Sequence, residues 1–225
     1  MCYWVLGNFA TVGEVQRGLA DVSVYGNDNS PVHWTVRDAA GDSLVLEVVG
    51  GKQRVYLDGN DGGESGYGIM TNEPVWPVQK AMVDHYQWKR ATLTRTAIAT
   101  PGNFYPEERY MRVHMVKTGL LTPSTYQQAV SQAVAVLNTI TVPMGEQYGT
   151  DSGNGGGHSG EGRSGDHTLW GVVRDHGNQS IYYRTANNPS LRKVDVGAFD
   201  LNRGAIPVVI NLDDGPWFHD MSPRL

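Results

Sequence analysis

Cysteine is nearly absent from this chain. The single residue, Cys2, excludes an intrachain disulfide. No apolar run approaches the roughly 18 residues of a membrane-spanning helix. Charge of one sign is also scarce. A net charge of −5 over 225 residues, with no long run of acids or bases, speaks against nucleic-acid binding as the main task. No G-K-[ST] follows the glycine-rich stretch, which excludes a phosphate cradle there. No G-x-S-x-G is present, and the Asp84-His85 pair has no serine tied to it, so a serine hydrolase is not supported. His158 and His167 lack ligand-spaced partners, so no metal and no cofactor is expected.

What is present reads as an ordinary globular protein, 40% hydrophobic and 18% charged, long enough for a substantial core. Met1–Phe9 is an apolar opening segment. Thr11 and Glu14 form a capping box, and Val12, Val15, Leu19 and Val22 continue at helical spacing, predicting a helix over 11–21. Strand periodicity follows at 32–37, 43–49 and 53–57. The turns Asp38–Asp42 and Gly50-Gly51 make these an antiparallel meander. A further strand is expected at 66–71. Helices are expected from Pro74 to about Tyr86, from Pro106 to about Lys117 and from Pro123 to about Asn138, since proline suits a first helical turn. Trp88–Ile98 reads as extended or irregular. Residues 149–166 are too glycine-rich to pack and read as a flexible loop. Three more strands are expected at 168–174, 180–185 and 191–196, with Trp170, Tyr182 and Tyr183 as core aromatics. Strand groups alternating with helix groups, without a linker or repeat, predict one layered α+β domain over 1–225.

The stretch with most chemical promise is Tyr67–Trp76, YGIMTNEPVW, where a strand end feeds a helix start and exposes Asn72. Pro101–Arg112, PGNFYPEERYMR, is the second. Taken by itself, Asn72 suits a turn or a helix start, and Arg109 suits a helix-surface salt bridge beside Glu107 and Glu108.

Five segments in order resemble the choloylglycine hydrolase and penicillin V acylase family of N-terminal-nucleophile hydrolases. They are W-V-L-G-N-F-A-T-V-G-E-V (4–15), P-V-H-W-T-V-R-D-A-A-G-D-S-L-V-L-E (31–47), G-I-M-T-N-E-P (68–74), P-G-N-F-Y-P-E-E-R-Y-M-R (101–112) and I-Y-Y-R-T-A-N-N-P-S-L-R (181–192). The resemblance implies an αββα four-layer sandwich and hydrolysis of a non-peptide linear amide C–N bond, with a small-molecule N-acyl amide as substrate. It implies a cysteine nucleophile exposed at the N-terminus by processing. It also maps an oxyanion-binding asparagine onto Asn72 and a later arginine onto Arg109. The second motif departs from the family pattern. Asn103 stands where aspartate is frequent, and Glu108 where serine often precedes the arginine.

Met1-Cys2 imitates the family's start, and Arg17 and Asp21 fall at about the expected distance. Yet the residues after Cys2 resemble an interior family segment, and R-x-x-x-D on a helix replaces R-x-x-D on an extended segment. Cys2 is therefore read as incidental. The chain is expected to hold the C-terminal two-thirds of the family domain, with the nucleophile segment missing from its N-terminus. No charged n-region precedes an apolar h-region, and with that truncation expected this says nothing of the compartment. A non-catalytic ligand-binding homologue and one chain of a processed or split amidase are the competing readings. Self-association, or association with the missing N-terminal segment, is the partnership they leave open.

Overall fold

The computed structural model describes residues 1–25, 32–57, 68–92, 100–144 and 167–222. They fall into two compact units, Met1–Gly119 and Leu120–Leu225, each taken by itself below. The glycine-rich stretch 149–166 lies outside the described residues.

The first unit opens with helix α1, Cys2–Asn8, where the sequence suggested only an apolar segment. Helix α2, Val12–Gly18, starts at the predicted capping box: Thr11 accepts from the Glu14 N–H while Glu14 accepts from the Thr11 N–H. A 3-10 turn, Leu19–Asp21, extends it. Asp38, from the first strand turn, accepts from the Val12 N–H at 3.0 Å and holds the start of α2. Strands β1 (Trp34–Arg37), β2 (Ser43–Val49) and β3 (Lys52–Leu57) form the expected antiparallel meander. Gly50 and Gly51 take φ of 57° and 72°, the double left-handed turn that only a glycine pair supplies cheaply in a tight hairpin.

Strand β2 is buried from Ser43 to Glu47 because helices lie against both of its faces. Leu44 and Leu46 pack with Val5, Val12, Val15 and Leu19 of the α1–α2 segment. The alternate face carries Val45 and Glu47. Tyr56, the register partner of Val45, stacks at 4.8 Å on Trp76, the first residue of helix α3 (Trp76–Thr92). Helix α4, Pro106–Gly119, packs on α3 through Ile69, Val83, Tyr110 and Met111, a second apolar cluster.

Three expectations are corrected here. Residues 68–71 are not a strand, because their polar groups bond to a neighbouring side chain and turn rather than to a ladder. Helix α3 begins at Trp76 instead of Pro74, since the Glu47 carboxylate caps the Trp76 N–H. It runs to Thr92, so Trp88–Thr92 is helical rather than extended.

The second unit contains helix α5, Tyr126–Thr139, capped by Thr125, which accepts from the Gln128 N–H. Pro123 precedes this helix instead of opening it: the threonine cap outcompetes proline for the first turn. Strands β4 (Trp170–Asp175), β5 (Ser180–Thr185) and β6 (Arg192–Asp195) form the second antiparallel sheet, close to the expected bounds. Tyr183 is buried as expected, whereas Trp170 is exposed. The architecture is thus α+β.

Candidate active site

The segment that carries Asn72 is built from Gly68 onward. Gly68 has φ of 62°, and a Cβ there would lie 2.9 Å from Lys117 Nζ, so both backbone and space call for glycine. Ile69 then enters the α3–α4 cluster. Thr71 is buried, its hydroxyl donating to the Glu73 carbonyl at 2.9 Å and accepting from Gln79 Nε2 at 2.8 Å. Asn72 follows on an exposed arch, and Trp76 closes it by entering α3. The arch is therefore fixed on one side by Gln79, which is fully buried, and on the other by the Trp76 N–H bonded to Glu47 at 2.6 Å.

The Pro101–Tyr105 loop is held differently. Arg112, buried on α4, donates from Nε to the Pro101 carbonyl at 2.7 Å and from Nη2 to the Asn103 carbonyl. Its guanidinium lies over the Phe104 ring at 5.4 Å. Glu108 accepts from the Asn103 N–H at 2.6 Å, and Asn103 Oδ1 accepts from the Phe104 N–H. The residues that break the family pattern, Asn103 and Glu108, thus close this loop on the start of α4. Arg109 Nε donates to the Phe104 carbonyl at 2.9 Å, which aims the guanidinium.

That aim brings the two motifs together. Arg109 Nη2 donates to Asn72 Oδ1 at 3.0 Å across 37 sequence positions. A guanidinium has only donors, so Asn72 must offer its oxygen to it. The amide NH₂ is thereby turned away from Arg109, an oriented pair of donors next to a fixed positive charge. Such an arrangement can bind a carbonyl oxygen or an oxyanion.

Cys2 is elsewhere in the packing. It is exposed on α1, whose Val5 belongs to the α1–α2–β2 cluster, whereas Asn72 and Arg109 flank the α3–α4 cluster. The Met1 carbonyl accepts from the Val5 N–H at 3.1 Å, so the peptide before Cys2 is part of that helix.

The sequence reading missed Glu47, Gln79 and Arg112. A signal for Glu47 was available: one carboxylate within SLVLEVV, a strand expected to be covered on both faces, demands a buried partner. Burial pushes the Glu47 carboxyl up, while the Trp76 N–H, His33 and Arg54 pull it down. Among the described residues, no group of three or more His, Cys, Asp or Glu could hold a metal.

A sequence model of the choloylglycine hydrolase family, linear amide C–N hydrolases, matches residues 1–209 and so runs across both units. Penicillin V acylase of Pectobacterium atrosepticum is 24% identical over 86% of this chain and 51% of its own length. Bile salt hydrolase/transferase of Clostridium perfringens is 24% identical over 63% of this chain and 48% of its own. An uncharacterised protein of Paramecium bursaria Chlorella virus 1 is 26% identical over 74% of this chain and 58% of its own. The chain thus spans about half the length of these relatives. The solved structure of penicillin V acylase from Agrobacterium tumefaciens superposes with a TM-score of 0.67 at 24% identity, covering 89% of this chain and 56% of that one. A variant of the conjugated bile acid hydrolase from Clostridium perfringens gives 0.60 at 22% identity, covering 95% and 63%. These likenesses show a common fold, and with the match over residues 1–209 the chain belongs to the choloylglycine hydrolase family of linear amide C–N hydrolases.

Proposed function

We propose that this chain carries the oxyanion side of a cysteine amidase that cleaves a small N-acyl amide of the bile-salt or penicillin V kind. The observation behind this reading is the bond from Arg109 to Asn72, which joins two motifs of the family resemblance. Attack by a thiolate on the amide carbonyl places negative charge on its oxygen. The Asn72 NH₂, pre-oriented by Arg109, donates to that oxygen, a role worth roughly 3–4 kcal/mol of barrier. The Arg109 charge, held by the Phe104 carbonyl, favours the thiolate form of a nearby cysteine. In this reading both units are parts of a single family domain, as the match across 1–209 supports.

The nucleophile in this proposal is a cysteine outside the present sequence. Its support is the packing of α1, which engages Cys2 in a helix and seats that helix on the α1–α2–β2 cluster. The test is amine release from a panel of N-acyl amides by the protein expressed from its complete gene. Turnover that falls about a hundredfold or more in Asn72→Ala and persists in Cys2→Ser is expected. Loss of turnover in Cys2→Ser would make Cys2 the nucleophile, and no hydrolysis of any amide would remove the activity altogether.

A further inference from the structure

The amide of Asn72 is exposed, and a single bond from Arg109 cannot by itself hold the backbone beneath it. What holds that backbone is buried one layer below. Glu47 projects from the middle strand of the first sheet, with none of its surface exposed, onto the face that meets α3. Its Oε1 accepts from the Trp76 N–H at 2.6 Å, and Trp76 is the first residue of the 17-residue α3. A carboxylate at a helix N-terminus satisfies an amide that has no partner within the helix and meets the positive end of the helix dipole. Helix caps are usually supplied by the residue just before the helix. This one comes from 29 positions away, so it fixes where α3 begins relative to the sheet.

The groups around Glu47 fit a strut better than an incidental burial. His33, just before β1, places Nδ1 3.4 Å from Glu47 Oε1, and Arg54 is its register partner on β3. Trp76 is held on the same face by its stack on Tyr56. Among the described residues, Glu47 Oε2 has no hydrogen-bond partner. An isolated buried carboxylate is costly, and replacing it by an apolar residue would be the easier way to fill the space. Its retained hydrogen bond is the one that ends the arch Thr71–Val75.

We infer that Glu47 is a positioning residue for Asn72: from the sheet it fixes the start of α3 and so keeps the Asn72 amide on Arg109. The inference rests on the catalytic reading of Asn72 for its effect on turnover, but its structural half stands apart from that reading. Glu47 touches neither substrate nor reacting atoms. It acts through the Trp76 N–H and the three residues between Asn72 and Trp76, and the opposite end of the arch is held independently by Gln79.

The test compares Glu47→Leu, which removes the acceptor, with Glu47→Gln, which keeps an amide oxygen in its place. In Glu47→Leu, hydrogen exchange at the Trp76 amide should speed up at least tenfold beyond the change at Val45 in the same sheet. The side-chain NH₂ resonances of Asn72 should shift toward those of Arg109→Ala. In the protein expressed from its complete gene, kcat per folded molecule should fall about tenfold or more while KM stays within twofold. Glu47→Gln should restore exchange protection and most of kcat. A merely structural carboxylate would lower the folded fraction in both variants without moving kcat per folded molecule or the Asn72 resonances, and that result overturns the proposal. If the wild-type protein hydrolyses no amide, the catalytic reading fails, while the Asn72 resonances still decide the positioning claim. Should Glu47→Leu not fold, Glu47→Asp, whose carboxyl is one methylene shorter, gives the same comparison.

Discussion

Replacing Asn72 by aspartate separates the two things its side chain does. Its Oδ1 accepts from Arg109 Nη2 at 3.0 Å, and its NH₂ points elsewhere. Aspartate keeps an oxygen for Arg109, adds a full negative charge there, and removes both N–H donors. The pair is exposed, so the new ion pair strengthens the fold by no more than about 1 kcal/mol. Alanine removes the bond and costs about 1 kcal/mol. The two substitutions should therefore move stability in opposite directions. For turnover they should agree in sign. Loss of the donor costs roughly 3–4 kcal/mol of barrier, a factor of about a hundred to a thousand, and the aspartate charge repels the developing oxyanion besides. Urea unfolding of Asn72→Asp, Asn72→Ala and the wild type measures the first effect, and amine release from an N-acyl amide measures the second. If Asn72→Asp unfolds as easily as Asn72→Ala, Arg109 does not bond to Oδ1 in solution. If Asn72→Asp keeps wild-type turnover, the NH₂ is not the oxyanion donor.

Other outcomes follow from neighbouring contacts. Arg112→Met leaves the Pro101 and Asn103 carbonyls without their donor and should lower unfolding free energy by about 3 kcal/mol, read by urea unfolding, with Arg112→Lys recovering part of it. Removing the capping box by Thr11→Ala should cost about 1 kcal/mol, visible as a lower melting temperature. The imidazole of His114 is held below its ordinary 6.5 by burial and by the Lys117 charge. The unfolded chain therefore takes up a proton that the folded chain refuses. This stabilisation is present above about pH 6.5 and is lost as pH falls below it. His114→Gln should flatten the fall in melting temperature between pH 7.5 and 5.5. Glu47 runs the other way: burial raises its carboxyl above 4.5, so the proton-linked part of stability falls as pH rises through the folded value, while the bond it accepts from the Trp76 N–H is open to either form.

Periodicity and turn chemistry carried much of this fold. The capping box at Thr11, the alternation in β1, the paired glycines after β2 and the short strand runs of β4–β6 are local signals, and each element lies near its expected place. The family, too, was legible from five motifs in order, and Asn72 and Arg109 with it. Local pattern failed wherever a partner distant in sequence decided the outcome. Residues 68–71 look like a strand by composition, but Gln79 takes up the Thr71 groups. Proline at 74 looks like a helix start, but the acceptor that sets the first turn is Glu47, 29 positions before Trp76. The 3.0 Å contact of Asn72 with Arg109 is likewise invisible to any spacing rule, since it depends on a loop wound around the buried Arg112. Sequence alone singled out Asn72 and Arg109 as candidates, because the motifs that carry the family resemblance are written in the chain. Tertiary structure alone decided which way the Asn72 amide faces, because that direction is set by hydrogen bonds from side chains the chain brings together only on folding.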